Sequence, residues 1–122
     1  MKKFLLGFVF AFQGLAFLVK TERNFKFHLF AFICISIAGF LFKIEKTEWL
    51  AVLIISSIIL TAEALNSAIE KLCNQLHPEI HPAIKSVKDI AAASVLTSSI
   101  IAVIIAGIIF LPRISDFIGR LI

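Results

Sequence analysis

Residues 49–72 read WLAVLIISSIILTAEALNSAIEKL, and whether this stretch is a core helix or a membrane span decides the fold. Its first half is apolar apart from Ser56, Ser57 and Thr61. About 20 such residues cross the hydrocarbon core of a bilayer as one helix. Its second half carries Glu63, Asn66 and Glu70, with Asn74 just beyond. Steps of three and four residues place these side chains on one helical face about 80° wide. A carboxylate near the bilayer centre costs about 2.5–3.5 kcal/mol on insertion scales. A stripe that merely glues helices together explains Asn66. Two ionised glutamates repel, so a divalent cation, protonation or a cation from a neighbouring segment must compensate them.

Composition supports the membrane reading. The chain has 122 residues, 60% of them hydrophobic and 16% charged, with a mean hydropathy of +1.01. A soluble domain carries about 25% charged residues, and a core of this size cannot bury so much apolar surface. The net charge of +4 does not form a nucleic-acid patch, because the basic residues stand at the ends of apolar runs. Cys34 and Cys73 lie inside expected helices without metal-ligand spacing and read as free thiols.

The expected architecture is an all-α membrane protein of one domain, residues 1–122. Three runs are long enough to span: 25–42, 48–72 and 84–111. KIEKTE (43–48) is a polar hairpin, with Trp49 as an interfacial anchor beside it. Pro78 and Pro82 disfavour continuous helix in the link between the second and third spans. Residues 1–20 open with Lys2 and Lys3 ahead of an apolar stretch, as a signal peptide does, but no small-x-small cleavage site precedes Lys20. Gly7, Ala11 and Gly14 make a smooth stripe beside a Phe4, Phe8, Phe12 ridge, which suits an amphipathic helix lying at the interface and packing on other helices.

Charge bias sets the orientation. Lys2, Lys3, Lys20, Arg23, Lys26, Lys71, Lys85 and Lys88 fall on one side, and Lys43, Lys46, Arg113 and Arg120 on the other. The positive-inside rule then puts the N-terminus in the cytoplasm and the C-terminus outside.

Further polar groups fall on the cytoplasmic side. Glu22, Asn24 and His28 open the first span. His77, Glu79 and His81 lie in the link, and Lys88 and Asp89 begin the third span. Glu22 and Glu70 are hard oxygen ligands suited to Mg²⁺, which takes one or two carboxylates plus substrate phosphates. Lys88 is a point cation suited to phosphate. The histidines lack a zinc pattern and read equally well as solvated or helix-capping. Gly7, Gly14, Gly39, Gly107 and Gly119 form neither GxGxxG nor GxxxxGK, so any phosphate must be held by metal, lysine and helix ends.

EALNSAIEKLCN (63–74), KDIAAASVL (88–96) and ERNFKFH (22–28) together resemble the prokaryotic diacylglycerol kinase family of small membrane kinases, which includes the undecaprenol kinases. The first segment is similar to the family signature E-x-x-N-[ST]-A-I-E. The resemblance implies an N-terminal interfacial helix plus three transmembrane helices, a homotrimeric helical bundle with shared active sites, and transfer of phosphate from Mg²⁺-ATP to a lipid alcohol. It implies Glu63 as catalytic base with Asn66 beside it, and Glu22 and Glu70 as metal ligands. It implies nucleotide contacts at Lys88, Asp89, Glu79, Ile80 and His81, and a basic contact at Lys3. Asn74 departs from the aspartate found in many members, and Ala91 to Ser94 from a glycine- or serine-containing variant. ERNFKFH is closer to the undecaprenol kinases than to the diacylglycerol type. The bacterial cytoplasmic membrane is the expected location, with ATP, a lipid alcohol, the bilayer and further copies of the chain as partners and no nucleic acid.

Two alternatives remain from the residues alone. A small cation- or proton-coupled transporter explains a membrane-embedded Glu63, but not the Lys88–Asp89 pair or the acidic cytoplasmic cluster. The small-residue ridge Ala91, Ser94, Ser98, Ala102 and Ala106 suits a structural or holin-like oligomer; it favours close helix packing and is compatible with the kinase reading.

Overall fold

A computed structural model of the chain describes residues 2–76 and 81–120. The described residues form four helices: α1 (Lys2–Thr21), α2 (Arg23–Leu41), α3 (Lys46–Leu76) and α4 (Pro82–Gly119). All four are long and apolar enough to cross a membrane by length and composition. α3 has 31 residues and α4 has 38. At 1.5 Å per residue they measure about 46 and 57 Å, so α4 outreaches even the roughly 40–45 Å of bilayer plus headgroups.

The expected spans lie within these helices apart from Phe42, which caps α2, and the helices run further. α3 gains two residues at its start and four at its end, and α4 continues eight residues past Leu111, through Pro112. Proline removes the N–H that would bond the Ile108 carbonyl. The next residue supplies local support, since Arg113 Nη1 donates to the Ile109 carbonyl at 2.6 Å.

The α2–α3 turn is built from backbone bonding. Ile44 N–H donates to the Gly39 carbonyl at 3.1 Å and Lys43 N–H to the Phe40 carbonyl at 3.3 Å. That is a Schellman closure, and Lys43 takes the left-handed position with φ 49°. α3 then starts with a capping contact, as the Glu48 carboxylate accepts from Glu45 N–H at 2.7 Å. Trp49, expected as an interfacial anchor, packs into the hairpin. Its ring lies on Gly39, where an added Cβ would meet it at 2.9 Å, and 4.8 Å from the Phe40 ring.

The packed core sits at this hairpin end. Ile44, Val52, Ile109 and Phe110 are buried there, with Ile35, Phe42 and Trp49 against them. α3 and α4 share the most extensive interface, α2 packs on α3, and α1 touches α2 least. No residue of α1 with a described side chain is buried, and nothing among the described residues would touch a side chain at Gly7 or Gly14. The smooth stripe expected to pack on other helices is thus left open within one copy. Large apolar side chains elsewhere are widely exposed, among them Phe40, Leu41, Ile90, Val103 and Ile108. Such a surface is stable only in lipid or against another apolar surface. Cys34 and Cys73 are both free, as expected.

Candidate functional site

The hairpin end supplies the core, so the opposite end of α2, α3 and α4 is left to carry the polar residues. Glu63 and Asn66 reach from α3 into a cavity of about 280 Å³ between the three helices. Asn24 and His28 close it from α2, and Val95, Leu96 and Ser99 from α4. Glu63 is 3% exposed, the more buried of the two buried polar residues found among the described ones. The Asn24 side chain lies within hydrogen-bonding reach of it, and the charges of Glu22 and Glu70 both act on it. The three carboxylates of the sequence reading therefore converge, although Glu22 comes from a different helix junction.

Glu22 and Glu70 each hold a lysine. Lys71 Nζ lies 2.7 Å from Glu22 Oε1 and 5.0 Å from the centre of the Phe17 ring. Lys88 Nζ lies 3.5 Å from Glu70 Oε1 and donates to Asn74 Oδ1 at 3.1 Å. Asn74 thus serves as a neutral acceptor for Lys88. The hydrogen bond from Lys71 holds the Glu22 carboxyl below the usual carboxylate range, against a smaller opposing effect of desolvation.

The remaining expected site residues divide. Asp89 is exposed next to Lys88 on the opening turns of α4. His81 caps α4, its Nδ1 accepting from Ala83 N–H at 3.3 Å, so the capping role considered for the histidines holds for this one. Lys3 is exposed near the start of α1, about 27 Å along the helix from Thr21, so this chain alone does not bring it to the cluster. Glu79, Ile80 and His77 lie outside the described residues.

Two participants were not singled out from sequence. Lys71 counted only as one of the basic residues on the cytoplasmic side, although its position next to Glu70 put it at the cluster. Ser99 lies outside every motif, and only its four-residue step from Val95 could have placed it on the cavity wall.

The donor set fits Mg²⁺. Among the described residues no three His, Cys, Asp or Glu side chains come together as a metal cage. Glu22 and Glu70 both lie near Glu63, so the chain offers two hard carboxylates and leaves other positions to water and phosphate, which is how Mg²⁺ is usually held.

The described residues thus form a helical membrane protein with a buried carboxylate between its long apolar helices and a charged cluster at one end. The model of the prokaryotic diacylglycerol kinase family matches residues 9–110. An undecaprenol kinase of Bacillus subtilis (strain 168) is 35% identical over 114 residues, 93% of each chain. A diacylglycerol kinase of Synechocystis sp. (strain ATCC 27184 / PCC 6803 / Kazusa) is 31% identical over 109 residues, 88% of this chain and 62% of that one. The chain belongs to the prokaryotic diacylglycerol kinase family. As a member it is a lipid kinase, an enzyme that transfers phosphate to a lipid alcohol, and this takes the place of the transporter alternative.

Proposed function

We propose that the chain transfers the γ-phosphate of Mg²⁺-ATP to the hydroxyl of undecaprenol. It works as a homotrimer in the bacterial cytoplasmic membrane, with the N-terminus inside, the C-terminus outside and α1 at the interface. The observation that carries the reaction is the placement of Glu63: buried between three apolar helices, about 10 Å along α3 from Glu70. Glu70 and Lys88 belong to the aqueous end, Glu63 to lipid depth. The 93% coverage of both chains in the match to an undecaprenol kinase supports undecaprenol as acceptor. The wide exposure of large apolar side chains and the open stripe on α1 support assembly with further copies.

In this reading the Glu63 carboxylate takes the proton of the lipid hydroxyl. The freed oxygen bonds to the γ-phosphorus as the bond from that phosphorus to the β,γ-bridging oxygen breaks, and ADP leaves with that oxygen. Asn66 and Asn24 hold the Glu63 carboxylate and the acceptor in place. Lys88 and Asp89 meet the nucleotide, with Glu79 to His81 and Lys3 as further contacts. Glu22 and Glu70 would hold Mg²⁺, which would supply charge neutralisation at the phosphates. Catalysis is then positioning and charge neutralisation.

The test is Glu63→Gln, which keeps shape but cannot take the proton. Turnover falls about 10²–10⁴-fold, the span of general-base removal, while Mg²⁺-ATP binding is retained. Near-normal turnover removes the base role, and lost nucleotide binding makes Glu63 a metal or structural residue instead.

A further inference from the structure

α4 carries four hydroxyl side chains within six residues, and they behave differently. Ser94 donates to the Ala91 carbonyl at 2.7 Å, Thr97 to Ala93 at 2.8 Å and Ser98 to Ser94 at 2.8 Å. Each is satisfied by its own helix, the usual fate of a hydroxyl in an apolar span. Ser99 is the exception. Its Oγ is buried and has no hydrogen-bond partner among the described residues, so the hydroxyl does not bond back to a carbonyl of its own helix. A buried hydroxyl left unmade where no water competes is costly unless something else meets it.

Ser99 also lines the Glu63 cavity. On α4 the wall is made by Ala92, Val95, Leu96 and Ser99, and Ser99 lies deepest, about 10 Å along the axis from Ala92. Beyond it a second cavity of about 190 Å³ runs toward the hairpin end, lined almost wholly by apolar side chains such as Phe32, Ile55 and Ala102. His28 borders both cavities. Ser99 therefore stands where polar space gives way to hydrocarbon space, the level at which the head of a lipid alcohol joins its tail.

We propose that Ser99 is an acceptor-binding residue whose hydroxyl donates to an oxygen in the head of the lipid alcohol. That oxygen is the reacting hydroxyl of any lipid alcohol or the ester carbonyl just beneath it in a glycerolipid. The inference rests on the reading that the Glu63 cavity receives the acceptor. A site holding an unpaired donor favours a ligand that pairs it over one that does not.

The experiment compares wild type and Ser99→Ala in lipid–detergent micelles with undecaprenol, diacylglycerol and an ether-linked dialkylglycerol. Initial rates and the acceptor-induced rise in Tm are both read. The expected result is a loss of about 5- to 30-fold in kcat/KM, mainly in KM, and a smaller acceptor-induced rise in Tm. Without acceptor the Tm stays level or increases, because an unpaired polar group has been removed from an apolar helix. An equal loss on all three acceptors identifies the reacting hydroxyl as partner, and a loss confined to diacylglycerol identifies the ester carbonyl. The inference is overturned if Ser99→Ala handles all three as wild type does, or if its acceptor-free Tm falls along with turnover. The same Tm comparison in a Glu63→Gln background separates the two readings. There, binding still reports on Ser99, whereas full turnover in Glu63→Gln alone overturns the assignment of the cavity.

Discussion

Lys71 Nζ sits 2.7 Å from Glu22 Oε1, tying the C-terminal end of α3 to the elbow between α1 and α2. If Glu22 binds Mg²⁺, the ammonium and the metal compete for one oxygen. Lys71→Met then tightens metal binding, by about two- to fivefold for a pair this accessible to solvent. Mn²⁺ titration followed by electron paramagnetic resonance, with a non-hydrolysable ATP analogue present, measures it without turnover. Lys26 is the control: its charge also acts on Glu22, but its Nζ donates to the Lys20 carbonyl. Lys26→Met is expected to tighten binding less. Equal effects would mean that a general field, not the contact, governs the metal.

Glu22 and Glu70 lie 48 positions apart in the sequence, yet both act on Glu63. As ligands of one ion they must be energetically coupled. Glu22→Gln and Glu70→Gln each weaken Mn²⁺ binding in the same titration. The double variant loses less than the sum, by a coupling of about 0.5–3 kcal/mol. Additive losses would assign the two carboxylates to separate sites.

The sequence showed the fold where period and length are unambiguous. The polar stripe from Glu63 to Asn74 needs only helical geometry, and the same geometry gave the depth difference between Glu63 and Glu70. The end of α4 was not legible, because Pro112 is a helix breaker by local rules and only the Arg113 contacts show how the chain continues. Nor were Lys71 and Ser99. The first acts through a partner 49 positions away, and the second through an unmade hydrogen bond, which no spacing records. The helix N-cap at His81 was open to anticipation because it depends on neighbours two residues apart.

Gly39 is fixed by a close approach, not by backbone freedom. A Cβ there would lie 2.9 Å from two Trp49 ring carbons and 3.1 Å from Ile44 Cδ1. Gly39→Ala must push the indole off α2 and is expected to cost about 1–3 kcal/mol, as overpacking does. Trp49 is the only tryptophan, so its fluorescence reports the displacement directly while thermal unfolding in micelles reports the cost. An unchanged emission maximum with unchanged stability would show that the ring has room to spare.

Arg113 and Glu48 form a two-pronged pair across the hairpin end, with Nη1 to Oε1 at 2.9 Å and Nη2 to Oε2 at 2.7 Å. Glu48 Oε2 also takes the Glu45 N–H, and Arg113 also holds the Ile109 carbonyl. The pair thus joins the start of α3 to the part of α4 beyond Pro112. Both side chains are about one-quarter exposed, at 26% and 24%, which places the pair between a surface bridge and a buried one. Arg113→Met leaves Glu48 without its cation and is expected to lower the unfolding temperature in micelles. Adding Glu48→Gln recovers part of that loss, because the stranded charge disappears with its partner. Glu63 lies about 22 Å along α3 from Glu48, so Mg²⁺-ATP affinity should be the same in all three variants below their unfolding temperatures. Thermal unfolding of the single and double variants in micelles measures the coupling. If the losses simply add, the fork is two independent contacts and does not clamp α4 to the hairpin.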